Sequence, residues 1–188
     1  MNEQKQFKVL AIAGSLRRGS YNRALVKAAG EIAPQHMEIQ ILDLHDIPLY
    51  NADVEEEGYP PEVLRLQNAI ADSDALLIAT PEYQHGVPGV LKNAIDWASR
   101  PPGKAAIIGK PVAIMGATPG AWGTARSQSQ LRQILTSNNC PMVSRPEILV
   151  AQAAERIDEN GTLTHEPTRK FIGKLLDALA DLIRRHMD

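Results

Sequence analysis

Five short apolar runs and the amphipathic stretches between them organise the chain. Val9 to Ala13 is continuous, apolar and stopped at Gly14, the pattern of a strand buried on both faces. After the polar segment Ser15 to Tyr21, Asn22 can cap a helix whose positions Leu25, Val26, Ala29 and Ile32 share one face before Pro34. Ile39 and Ile41 alternate with Glu38 and Gln40, which predicts a second, more exposed strand nearer a sheet edge. Asp43 to Gly58 reads as loop. Pro60 and Pro61 open a helix through Ala71 with Val63, Leu66 and Ile70 inward. Ala75 to Ala79 is a further buried strand, ended by Thr80-Pro81, where the missing amide donor stops a central strand. Val90, Leu91, Ala94, Ile95 and Ala98 mark the next helix, Pro111 to Gly116 a fourth strand, and Leu131, Ile134 and Leu135 another helix. Ile148 to Val150 supplies a fifth strand, and Asp158-Glu159-Asn160-Gly161 is a turn. A long last helix follows. Its stripe is Phe171, Ile172, Leu175, Leu176, Leu179, Leu182 and Ile183, and Arg184 and Arg185 in its last turn suit the helix dipole.

Strands alternating with helices imply right-handed crossovers and a parallel sheet covered on both faces. Five strands predict a flavodoxin-like three-layer α/β sandwich of order 2-1-3-4-5, one domain over residues 1–188. Ligands of such sheets bind beyond the carboxyl ends of the strands, at the point where chain order reverses. The loops after strands one, three and four are therefore the places to look.

Composition narrows the function. Twenty Lys and Arg against 22 Asp and Glu leave a net charge of −2 with no basic block, and the eight aromatic residues form no stacking array, so no nucleic-acid partner is expected. Met1 to Lys8 is polar and no run approaches the roughly 20 apolar residues of a spanning helix, so no membrane partner is expected either. The single cysteine, Cys140, fits the cytoplasm. His36, His45, His85, His165 and His186 lack ligand spacing, so no metal is expected. Cys140-x4-Arg145 falls one residue short of a phosphatase-type C-x5-R loop.

The first loop, Gly14-Ser15-Leu16-Arg17-Arg18-Gly19-Ser20-Tyr21-Asn22, joins a buried strand to a helix start, where outward amides carry partial positive charge. Ser15, Ser20 and Asn22 add short donors and Arg17 a cation, a set suited to a terminal phosphate monoester. The alternative is that Ser20 and Asn22 only cap the helix and Arg17 is solvated. Ser20-Tyr21 stands where a triphosphate-binding loop needs Lys then Ser or Thr, and the three-glycine dinucleotide fingerprint is absent. The second loop, Thr80 to Gly89, holds Pro81 and Pro88. A stiff loop fixes main-chain groups for the polar edge of a flat heteroaromatic ring, with Tyr83 against its face. Its alternative is a structural turn with Tyr83 in the core and Glu82 in solvent. In the third loop, Gly116 to Thr124, Thr118 can donate to a ligand, while Trp122 walls the site, is buried between helices or forms a subunit contact.

Gly14-Ser15-Leu16-Arg17-x2-Ser20-x-Asn22, Pro81-Glu82-Tyr83 and the stretch Pro88-Gly89-Val90-Leu91-Lys92-Asn93-Ala94-Ile95-Asp96-Trp97 together resemble the NADPH-dependent FMN reductase family, with its quinone, chromate and azo-compound reductases. That resemblance implies that Ser15, Arg17, Ser20 and Asn22 hold the FMN phosphate, that Pro81, Glu82, Tyr83 and Gln84 frame the isoalloxazine, and that Thr118 lies alongside. It implies NADPH or NADH as hydride donor, a small-molecule electron acceptor such as a quinone, free flavin, azo compound or chromate, and a homodimer or homotetramer. Hydride transfer requires no general base, so no catalytic acid or base is nominated. Two departures stand out: Gln84 where many members carry Asn, and Ala121-Trp122-Gly123-Thr124 in place of a glycine-richer loop. Two other classes compete. A flavodoxin-type electron carrier needs an acidic docking face that this composition does not suggest, and a regulatory module would bind flavin without turnover.

Overall fold

The computed structural model describes residues 6–187. Its sheet has five parallel strands in the order β2-β1-β3-β4-β5: β1 (Phe7–Ala13), β2 (Met37–Leu42), β3 (Ala75–Ala79), β4 (Val112–Ala117) and β5 (Ile148–Val150). This is the flavodoxin-like order expected from the alternation. The helices are α1 (Tyr21–Ile32), α2 (Ala52–Glu57), α3 (Pro61–Ala71), α4 (Gly89–Ala98), α5 (Ala125–Thr136) and α6 (Glu166–Met187). All six residues of β4 and all five of β3 are buried, as central strands covered on both faces must be.

The two faces have separate cores. α1 and α6 cover one through Leu25, Val26, Ala29, Leu175, Leu176 and Leu179, against Val9, Leu77 and Met115 of the sheet. Helices α3, α4 and α5 cover the other through Leu66, Ile70, Leu91, Trp97, Leu131 and Leu135, against Leu10, Ile78 and Ile114. β2 is the exposed edge, with Ile41 54% accessible.

Four local features differ from the sequence expectation. β1 begins at Phe7, two residues before the apolar run, because Phe7 and Lys8 already pair with Met37 and Glu38. Within the expected loop 43–58, residues Ala52–Glu57 form α2. The Asn51 side chain accepts from the Asp53 amide, Asp53 and Glu55 suit the helix N-terminus, and no residue is buried, so no apolar stripe signals it. The side-chain cap of α1 is Ser20, which accepts from the Arg23 amide, and Asn22 lies inside the helix. Phe171, which the periodicity assigns to the α6 stripe, is half exposed. It lies with Leu149 along the rim of β5, one position off the line of Ile172, Leu175, Leu176 and Leu179.

The segment after β2 is fastened to α4. Asn93 donates to the Pro48 carbonyl at 2.8 Å and accepts from the Tyr50 amide at 2.8 Å, and the buried Trp97 indole donates to the same carbonyl at 2.9 Å. Two distinctive residues of the Pro88–Trp97 stretch thus serve the fold.

Candidate active site

The carboxyl ends of β1, β3 and β4 meet in one open cleft. It is lined by Ser15, Arg17, Ser20, Tyr21, Asn22, Pro81, Glu82, Tyr83, Ala117, Thr118 and Pro119. Eight of the nine residues nominated from the sequence line it, and Gln84 does not. The cleft measures about 150 Å³, below the several hundred Å³ of a pocket that encloses a drug-sized ligand. A ligand of that size exceeds this volume and would keep part of its surface in solvent.

One end of the cleft is built from the start of α1. Ser20 caps the Arg23 amide, and its own amide turns back onto the Arg17 carbonyl at 3.1 Å. This leaves the Tyr21 and Asn22 amides of the first helical turn with no protein acceptor among the described residues. The Arg17 guanidinium lies over the Tyr21 ring, 5.7 Å from its centroid. The Ser15 hydroxyl is buried, 3.4 Å from the Tyr83 hydroxyl and 3.4 Å from the Arg17 amide. Two unpaired amides, two hydroxyls and one guanidinium thus converge, the donor set a phosphate needs.

Asn22 has a different job from the one its residue type suggests. Its side chain donates to the Ala117 carbonyl and accepts from the Ala117 amide, both at 2.9 Å, and it is almost wholly buried. The pair ties the start of α1 to the end of β4, so Asn22 faces the cleft chiefly through its backbone amide. Gly116, next in the strand, has no room for a side chain: a Cβ would stand 2.0 Å from Thr124 Oγ1 and 2.4 Å from the Thr80 carbonyl oxygen.

The loop after β3 is gripped by α5. Glu82 Oε2 accepts from the Arg126 and Ser127 amides at 3.0 and 3.1 Å, capping a helix whose own N-cap residue, Thr124, makes no side-chain cap bond. The Arg126 guanidinium is 3.5 Å from the other Glu82 oxygen, and the Glu82 side chain is only 12% exposed. Thr80 and Ser127 share a 2.9 Å hydroxyl contact beneath it. The reading of Glu82 as a solvated carboxylate is thereby overturned, because two helix amides need an acceptor there. Tyr83 is 55% exposed at the rim, so its placement in the core is overturned as well. Thr118 is held from the β5 side: its amide donates to the Val150 carbonyl and its carbonyl accepts from Ala153, each at 3.0 Å. Trp122 is 77% exposed and not buried between helices.

Sequence reasoning passed over Tyr21, Ala117 and Pro119, which line the cleft beside nominated neighbours, and Arg126 and Ser127, which shape it from α5. Adjacency would have found the first three. Nothing in a single sequence links Ser127 to Glu82 across 45 residues.

A model of the NADPH-dependent FMN reductase family matches residues 7–155. The NAD(P)H-dependent FMN reductase of Pseudomonas aeruginosa is 47% identical over 178 residues, covering 95% of this chain and 96% of its own. A 2-hydroxy-1,4-benzoquinone reductase of a Burkholderia species is 42% identical over 178 residues, covering 94% and 96%. Among solved structures, the flavoenzyme NAD(P)H:(acceptor) oxidoreductase FerB from Paracoccus denitrificans matches with a TM-score of 0.86 at 40% identity, over 96% of this chain and 98% of that one.

Proposed function

Because the chain belongs to the NADPH-dependent FMN reductase family, we propose that its cleft binds FMN and that it reduces quinone-type acceptors with NAD(P)H. FMN, when bound, supplies the redox chemistry that links oxidation of NAD(P)H to reduction of the acceptor. The chain's own part is to bind and orient. The Tyr21 and Asn22 amides, Arg17 and the hydroxyls of Ser15 and Ser20 take the phosphate, and Ser20 keeps its hydrogen free to donate while its oxygen serves as cap. Pro81, Glu82 and Tyr83 wall the ring and Thr118 borders it, with Gln84 on the adjoining turn. The shallow cleft leaves one ring face open, which suits a donor and an acceptor that come and go in turn.

The observation that carries this reading is the convergence of the unpaired α1 amides, Arg17 and the Pro81–Tyr83 segment on one cleft. The 2-hydroxy-1,4-benzoquinone reductase relative supports quinone as the acceptor class. Free flavins, azo compounds and chromate remain further candidates from the family resemblance. A homodimer or homotetramer belongs to the same proposal. The apolar face of α4 is spent on its own core, so the exposed Trp122 offers the better contact. A cytoplasmic setting is proposed from the lone, buried thiol of Cys140.

The test is the absorbance spectrum of the purified chain reconstituted with FMN, followed by anaerobic NADPH in the same cuvette. Bleaching of the flavin band and its return on adding a benzoquinone are expected. Failure to bind FMN, or a bound flavin that NADPH does not bleach, overturns the proposal.

A further inference from the structure

Immediately after the Pro81–Tyr83 wall the chain makes a two-residue turn. The Tyr83 amide donates to the Gly86 carbonyl at 3.2 Å and the Gly86 amide to the Tyr83 carbonyl at 3.0 Å. The two central residues, Gln84 at φ 47° and His85 at φ 63°, are both left-handed. Such turns favour Asn, Asp and Gly at these positions, because other side chains crowd the backbone there. Two successive left-handed residues without a glycine, the first of them glutamine, carry a conformational cost that the surroundings must offset.

The surroundings that hold it belong to α5. Ahead of the turn, Glu82 grips the Arg126 and Ser127 amides. Behind it, the Val87 amide donates to Gln130 Oε1 at 2.6 Å. Residues 126, 127 and 130 lie on neighbouring positions of one helix face, so a single rigid element holds both flanks. Gly86 belongs to the same arrangement: a Cβ there would stand 2.9 Å from Gln130 Oε1 and push that oxygen off Val87.

We propose that Gln130 is a positioning residue for the flavin site, holding the strained Gln84–His85 turn closed through Val87 so that Pro81 and Tyr83 keep their places in the cleft. This rests on the reading of the cleft as the FMN site. Gln130 itself does not line that cleft, and its effect passes through the turn.

The test uses the full chain stripped of flavin and titrated with FMN by fluorescence quenching, with hydrogen exchange at the Val87 amide read in parallel by NMR. Gln130→Ala is expected to raise the FMN dissociation constant about three- to tenfold, the range set by one ordinary hydrogen bond, and to speed Val87 exchange. Gln130→Glu, which keeps an acceptor oxygen on the exposed helix face, is expected to stay within about twofold of wild type. His85→Gly relieves the strain directly, so in that background Gln130→Ala is expected to cost less than it does alone. The proposal is overturned by a Gln130→Ala protein with wild-type affinity and Val87 exchange, by a Glu variant as weak as the Ala variant, or by a Gln130→Ala loss as large in the His85→Gly background as in wild type. A wild-type chain that binds no FMN overturns the flavin reading itself, and the function assigned to Gln130 with it.

Discussion

Replacing Glu82 separates binding architecture from chemistry. One oxygen serves two α5 amides at 3.0 and 3.1 Å, and the other lies 3.5 Å from a half-exposed Arg126 guanidinium. Losing a helix cap costs about 0.5–2 kcal/mol, and hydrogen bonds to a charged acceptor run to about 1.5–3 kcal/mol each, with sharing of one oxygen keeping the sum below twice that. The Arg126 pair adds at most about 1 kcal/mol because solvent screens it. Glu82→Ala is therefore expected to lose about 2–4 kcal/mol, roughly 5–12 °C of melting temperature for a chain of this size. Glu82→Gln keeps an acceptor oxygen and loses mainly the charge at the helix terminus, about 0.3–1 kcal/mol. Calorimetry on the flavin-free chain reads both, and stopped-flow mixing of the FMN-loaded proteins with NADPH reads the reduction rate. Weaker FMN binding by both variants, with a bound flavin that NADPH still reduces, is expected. A Glu82→Ala protein that melts with wild type would refute the cap, and a Glu82→Gln protein fully loaded with FMN yet inert to NADPH would refute the purely architectural role.

Two further outcomes follow from packing and from titration. Gly116→Ala places a methyl 2.0 Å from Thr124 Oγ1 and 2.4 Å from the Thr80 carbonyl oxygen, and that carbonyl belongs to the backbone. Urea unfolding is expected to show a loss of about 3 kcal/mol or more, and a loss under about 1 kcal/mol would show that the β3 and β4 ends yield easily. Burial pushes the Cys140 thiol up to about 11 from an ordinary 9.0. The unfolded chain then releases the proton first, so the stability tied to the neutral thiol is intact below pH 9 and is lost as pH rises toward 11, up to about 2–3 kcal/mol. Unfolding measured across that window should be steeper in wild type than in Cys140→Ala, and equal slopes would contradict the burial argument.

The layered fold was legible because its central strands are buried on both faces and so read as unbroken apolar runs, while α1, α3, α4 and α6 carry their stripes openly. What escaped were elements held by polar bonds. α2 has a cap and charges but no buried residue, and hydrophobic periodicity is blind to that. Ser15, Arg17 and Ser20 pointed to the right cleft because short donors between a strand and a helix start gather at the carboxyl end of the sheet, although Ser20 also caps α1. Asn22 and Glu82 were recognisable as important but not as what they are. A carboxamide or carboxylate in a loop looks the same whether it meets a ligand or a neighbouring backbone, and the partners here lie 95 and 45 residues away. The Asn93 and Trp97 anchors on Pro48 escaped for the same reason.

That redistribution of roles bears on how an acceptor is chosen. Discrimination between small molecules comes from polar groups that a wrong ligand leaves unpaired. Away from the Ser15 and Ser20 hydroxyls, the polar side chains that line this cleft beneath its rim are already satisfied by protein: Asn22 by Ala117 and Glu82 by α5. The groups left over are the amides, hydroxyls and cation at the proposed phosphate end, far in role from any acceptor, and the exposed side chains at the rim, Tyr83, Gln84 and His85, with Trp122 exposed on the loop after β4. A site built this way places few demands on the molecule that stacks against the open ring face, beyond a flat apolar shape. Substitutions that change acceptor preference are therefore expected at Tyr83, Gln84, His85 and Trp122. Substitutions of Asn22 and Glu82 should alter how firmly the site is assembled and leave the ranking of acceptors as it was. A panel of quinones and azo dyes assayed against both groups of variants decides it, and a reordered panel from the buried group with an unchanged one from the rim would reverse the assignment.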